Sequence, residues 1–163
     1  MTWAITDFLT GAQPIADTST TQKHPLCTEV DGQDETYLYG RFIYLKGVAS
    51  TVQGSWVTFD RQTGVTTLLG QNAINPVAVA MSANVANQYG WYQIVGTVPG
   101  LCLASYADNG LVYATTTAGS IDDAAVAGDR VKLAKGASAI GTPVAGQALF
   151  EIDRPFMDDG SAA

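Results

Sequence analysis

Along most of the chain, short stretches rich in aromatic and β-branched side chains are broken by Gly, Asn, Asp or Pro. Such short apolar runs between turn residues, with almost no helical periodicity, predict short β-strands and not helices. Residues 37–46 (Tyr-Leu-Tyr-Gly-Arg-Phe-Ile-Tyr-Leu-Lys) are dense in aromatic and β-branched side chains, and Gly40 among them predicts a bulge. Residues 55–59 and 65–69 flank Asp60-Arg61-Gln62-Thr63-Gly64, a Gly-containing loop of hairpin length. Residues 76–81 and 90–98 read as two further strands. Residues 101–107 read as another, ending at Asp108-Asn109-Gly110, where Asn-Gly supplies the positive φ of a tight turn. Residues 111–117, 130–134 and 147–152 complete the set, the last ending at Arg154-Pro155. Between them, residues 122–127 read as one helical turn capped by Asp122 and Asp123.

About seven to nine short antiparallel strands with almost no helical periodicity define an all-β fold, a small β-sandwich or barrel. The 17 Gly and 6 Pro fall mostly at the breaks, and no fixed-period repeat occurs. Residues 1–36 differ in kind. Trp3, Ile5, Phe8 and Leu9 are spaced loosely, residues 17–28 are rich in Thr and Ser, and Pro25 favours extended backbone at His24. This stretch reads as an extended N-terminal arm with apolar pegs, or as an edge strand folded onto its own domain. On the first reading, deleting residues 1–20 leaves a folded core. Residues 37–156 then form the β domain, and 157–163 a loose acidic tail.

Composition sharpens this. An apolar fraction of 47% supplies a core, but only 14% of residues are charged, against roughly 25% in soluble domains. So little charge implies that a protein partner covers part of the surface. The net charge of −7 and eight scattered basic residues exclude a phosphate-binding stripe, so no nucleic-acid partner is expected. No apolar run approaches the ~18 residues of a membrane span, and the N-terminus lacks signal-peptide character. The expected site of synthesis is the cytoplasm, where Cys27 and Cys102, outside any CxxC spacing, stay as free thiols.

Candidate chemistry is sparse. His24 is the single histidine, so no site built on several imidazoles exists. Its place before Pro25 suggests an exposed loop residue more than a general base. No GxSxG, P-loop or GxGxxG pattern occurs. Asp31-Gly32-Gln33-Asp34-Glu35 lacks the alternation and terminal Glu of a calcium loop and reads as a solvated turn. A carboxylate pair for glycoside hydrolysis can arise in any β fold, and nothing in the spacing favours one. Tyr37, Tyr39, Phe42, Tyr44, Trp56, Trp91 and Tyr92 suit cross-strand packing, with a sugar-binding platform as the alternative. No catalytic, cofactor-binding or metal residues are assigned.

Several runs carry a resemblance: Thr21-Gln22-Lys23-His24-Pro25-Leu26, residues 39–50 (Tyr-Gly-Arg-Phe-Ile-Tyr-Leu-Lys-Gly-Val-Ala-Ser), Gly54-Ser55-Trp56-Val57-Thr58, residues 76–83 (Pro-Val-Ala-Val-Ala-Met-Ser-Ala) and Gly90-Trp91-Tyr92-Gln93-Ile94. From about Thr21 onward the chain resembles small tailed-bacteriophage proteins encoded near the major capsid protein and regarded as capsid decoration, or cement, proteins. The resemblance implies no enzymatic activity and no cofactor. It implies a homo-oligomer, dimer or trimer, bound to the major capsid protein on the outer surface of the expanded head, which it stabilises by mass action. Trp3, Ile5, Phe8, Pro14, His24 and Pro25 are the contact candidates. Another virion part (head-fibre base or tail protein) and a carbohydrate-binding β module are the alternatives. The family pattern has Gly where this chain has Cys27 and Leu38, which puts the turn geometry there in question.

Overall fold

The computed structural model describes residues 1–7, 9 and 11–158, so Phe8 and the tail beyond Asp158 lie outside the described residues. Its strands are β1 (Ala4–Ile5), β2 (Thr18–Ser19), β3 (Glu29–Asp34), β4 (Leu38–Lys46), β5 (Trp56–Phe59), β6 (Thr66–Leu68), β7 (Val77–Ala80), β8 (Tyr89–Leu101), β9 (Tyr113–Ala114), β10 (Ile121–Asp122), β11 (Val131–Gly136) and β12 (Gln147–Met157). The fold is all-β, as the short apolar runs and turn residues imply, with more strands than expected. The surplus is mostly two-residue strands (β1, β2, β9 and β10), too short to show any period.

Ten strands form one antiparallel sheet in the order β1-β3-β4-β8-β7-β5-β6, with β2 and β12 on β8 and β11 on β12. The thirteen-residue β8 is the spine. Its first half pairs with β4 and its second with β12. The register against β4 shifts between Arg41 and Phe42, beside Gly40, and the extra residue, Ile94, lies on β8. The predicted hairpin is present, with Phe59 opposite Thr66 and Val57 opposite Leu68.

The central strands are apolar on both faces because both faces are covered. Phe42, Tyr44, Trp56, Val77, Val79 and Trp91 face the larger core, which includes Phe150, Val98 and Ile15. The intervening Ile43, Leu45, Val57, Phe59, Ala78, Ala80, Tyr92 and Ile94 pack together as a second core. The sheet curls around this second core until β6 meets the end of β4. There Lys46 bridges Val65, and its N–H donates to the Gly64 carbonyl at 2.9 Å. The small side chains Ala78 and Ala80 let so tight a curl close.

Several expectations need correction. The division at residue 36 falls inside a hairpin, because β3 pairs with β4 from Glu29–Ile43 to Asp34–Leu38. Upstream, Ala4 pairs with Gln33, Thr18 pairs with Gly90, and Ile15 is 2% exposed. The segment folds back on its own domain, as the second reading has it: β1 is an edge strand, and Trp3, Ile5 and Ile15 pack into the domain's own core. Deleting residues 1–20 is therefore expected to open that core. Residues 122–127 form no helical turn: Asp122 ends β10, and the Asp123 carboxylate accepts the Ala107 N–H at 2.9 Å, tying two loops together. Residues 101–107 and 111–117 are mostly loop, since only Leu101 and Tyr113–Ala114 join strands. β12 continues through Pro155 to Met157, opposite Val131, and Asp158 pairs with Lys132 at 3.1 Å, so the start of the expected tail is anchored.

Candidate functional site

The arm residues converge on one polar hub, Gln13, which sequence reasoning missed. Gln13 is 2% exposed, and its polar groups make five hydrogen bonds. Its N–H donates to His24 Nε2 at 3.0 Å, and its carbonyl accepts from Trp91 Nε1 at 2.7 Å. Its side-chain amide donates to the Asp17 and Tyr89 carbonyls, while Oε1 accepts from the Tyr44 hydroxyl at 2.9 Å. His24 is thus a buried acceptor at 7% exposure, edge-on to Tyr44 and tilted against Trp91, and not the exposed loop residue expected before Pro25. Burial, and then the charge of Lys23, hold its pKa below the ordinary histidine value.

Trp3 is no free peg. Its ring lies edge-on to Phe42, 4.9 Å between centroids, above Gly40, where an added Cβ would sit 2.8 Å from Cη2. Gly32, Gly40 and Gly96 pair in a row across β3, β4 and β8, and Gly40 leaves the space in which this ring rests. Ile5 is half-buried against the same core, while Pro14 and Pro25 are exposed. Of the five contact candidates among the described residues, Trp3 and Pro14 line a common cleft of about 190 Å³ with Met1, Thr2, Ile15, Ala16, Gln53 and Met81.

The acidic residues near the β3–β4 hairpin are occupied internally. Glu29 receives both terminal nitrogens of Arg154, at 2.9 and 2.7 Å, and Arg41 Nε at 2.9 Å. The Arg154 bond is the main reason the Glu29 carboxyl is pulled down to about 2, against the opposing effect of burial. Asp31 accepts from Arg41 and from the Tyr39 hydroxyl. Asp34 is a buried turn cap and not a solvated carboxylate. Burial alone would raise its pKa, but the N–H groups of Tyr37, Thr2 and Thr36 outweigh it and the net shift is downward. Among the described residues no three His, Cys, Asp or Glu side chains gather as a metal would need. Cys27 and Cys102 are free thiols; burial pushes Cys102 up to about 11, which makes it a poor nucleophile at neutral pH.

Phe42, Tyr44, Trp56, Trp91 and Tyr92 are each 0% exposed and present no ring face to a sugar; of the other two platform candidates, Tyr37 is half-buried and stacked on Trp3, and Tyr39 is exposed. The exposed apolar surface lies elsewhere. Leu111 and Leu133 are 41% and 58% exposed and line an open groove of about 390 Å³ beside β11 and β12. Ala134 and Ile152 extend its apolar lining, while Arg130, Lys135, Glu151 and Asp153 add two charges of each sign. Leu133 sits at the register shift of β11 with φ 59°, in the left-handed region that a branched side chain adopts at a cost of about 1–2 kcal/mol. Leu38, at the tip of the β3–β4 hairpin, combines φ 62° with 70% exposure.

No protein-family model, characterised protein or solved structure matches this chain. Cys27 and Leu38 share a backbone geometry. Cys27 has φ 66° and Leu38 has φ 62°, the backbone that glycine adopts freely.

Proposed function

We propose that this protein is a capsid decoration protein, docking on the outside of a phage head and stabilising it without chemistry of its own. The observation that carries the reading is the groove at Leu133, where an apolar side chain is both exposed to water and held in costly backbone. Apolar surface open to water does not benefit the isolated chain, and covering the groove with another protein offsets the exposure. The contact surface moves accordingly, from the N-terminal pegs to the groove of Leu111, Leu133 and Ile152 with its mixed charged rim. A charge-balanced rim fixes orientation more than it adds affinity.

Co-sedimentation with emptied, expanded capsids tests this. The wild type pellets with the shells, and Leu133→Asp, a change at an exposed position, folds but stays in the supernatant. A wild type that never pellets defeats the decoration reading, and a Leu133→Asp variant that pellets equally well defeats the placement of the contact.

A further inference from the structure

Two edges of the main sheet are finished differently. At one end β11 is shielded: Val131 and Gly136 donate to the Val112 and Gly110 carbonyls, Leu133 interrupts the register, and Lys132 and Lys135 lie on the strand. Lysines and irregularities are common devices against strand addition. At the other end β1 has none of them. Residues 1–6 (Met-Thr-Trp-Ala-Ile-Thr) carry no charged side chain and no proline.

The direction of the β1 backbone follows from its bonds. Thr2 N–H donates to the Asp34 carboxylate, Ala4 pairs with Gln33, and Thr6 N–H donates to the Asp31 carbonyl at 2.9 Å. Even-numbered residues therefore turn their peptide groups toward β3. Trp3 and Ile5 turn theirs outward, and among the described residues nothing pairs with them. Side chains alternate the other way: Trp3 and Ile5 pack on the core, while Thr2, Ala4 and Thr6 are exposed.

We propose that this edge is a self-association site at which residues 2–6 of two copies pair antiparallel about a two-fold axis through Ala4, extending the sheet across a dimer. The segment is complementary to itself in that register. Trp3 faces Ile5 of the second copy, and each such pair exchanges both N–H···O bonds through the outward peptide groups. Thr2 faces Thr6, and Ala4 faces Ala4 as a close pair without backbone bonds. Aromatic–β-branched and Thr–Thr pairs are favourable across antiparallel strands. No like charges oppose each other along the seam, which lets two chains of net charge −7 approach there. A two-fold contact of one patch with itself is the common way to close an oligomer. The inference deepens the decoration reading by supplying its oligomer, but the dimer forms without the shell.

Sedimentation equilibrium of the full chain from about 10 µM to about 1 mM covers the range in which small contacts dissociate. The wild type is expected to dimerise. Ala4→Lys and Ala4→Glu, at an exposed position, keep the circular dichroism of the fold but set like charges face to face, and each weakens dimerisation about tenfold or more. Mixing the two variants restores the dimer. In hydrogen exchange, the Trp3 and Ile5 amides become protected as wild-type concentration rises and stay unprotected in Ala4→Lys. A wild type that is monomeric throughout, or an Ala4→Lys variant that dimerises as well as wild type, overturns the proposal. Protection of those amides only when emptied capsids are added also overturns it, and assigns the edge to a strand of the shell protein. A dimer that forms while shell binding fails keeps this proposal and defeats the decoration reading.

Discussion

Replacing Gln13 with Ala removes three side-chain hydrogen bonds and leaves the two backbone ones in place. The cost concentrates at Tyr44, which is 0% exposed. Its hydroxyl still accepts the Lys23 N–H at 3.3 Å but loses the acceptor for its own proton. A buried polar group left unsatisfied costs about 1–3 kcal/mol. The Asp17 carbonyl belongs to an exposed residue and turns to water, at little cost. Losing the buried methylene adds about 1 kcal/mol. The sum is about 3 kcal/mol, a large share of the roughly 5–15 kcal/mol that stabilises a domain. For a chain of this size that lowers Tm by about 6–12 °C. Urea unfolding followed by tryptophan fluorescence measures it, since Trp91 lies against His24 beside the hub. Tyr44→Phe and the double variant close the cycle, and the double variant should lose less than the sum of the single ones by about 1 kcal/mol. A loss below about 1 kcal/mol for Gln13→Ala, or strict additivity in the cycle, refutes the idea that this amide pins the N-terminal segment to the sheet.

Two further outcomes concern pH. The His24 pKa is depressed in the folded chain, so the native state binds fewer protons than the unfolded one in the histidine range. Stability is therefore full above the ordinary value of about 6.5 and falls as pH drops through it, because an imidazolium has no lone pair for the Gln13 N–H. Urea midpoints from pH 8 to 5 should show this slope, and an equal slope in His24→Gln assigns it to another group. Glu29 has the opposite dependence. Its carboxyl is held near 2, so the stability it contributes is present above the ordinary carboxylate range and disappears as pH falls from about 4.5 toward 2. Because the Arg154 side chain is 42% exposed, about 1–2 kcal/mol is the expected size after solvent screening. Glu29→Gln should lose that amount at pH 7 and little at pH 2.5, and equal losses at both refute the link between β3 and β12.

The local pattern of side chains was enough for the fold class, the β5–β6 hairpin and the central runs of β4 and β7. Aromatic and β-branched runs and turn chemistry act between neighbours in sequence, so those elements are written where they occur. It failed wherever a residue's surroundings come from far along the chain. Gln13 and His24 look like exposed polar residues because nothing near them reveals that Tyr44 and Trp91, 31 and 78 positions beyond Gln13, enclose and satisfy them. β8 runs on past the expected end at residue 98, through Pro99 and Gly100, because β12 holds it in register there. The aromatic residues gave no sign of their depth, since sequence period reports which face a side chain takes and not whether another layer covers that face. Only the curling of the sheet decided that both faces are buried. The same closure left Leu38, Ile74, Leu111 and Leu133 among the exposed apolar side chains.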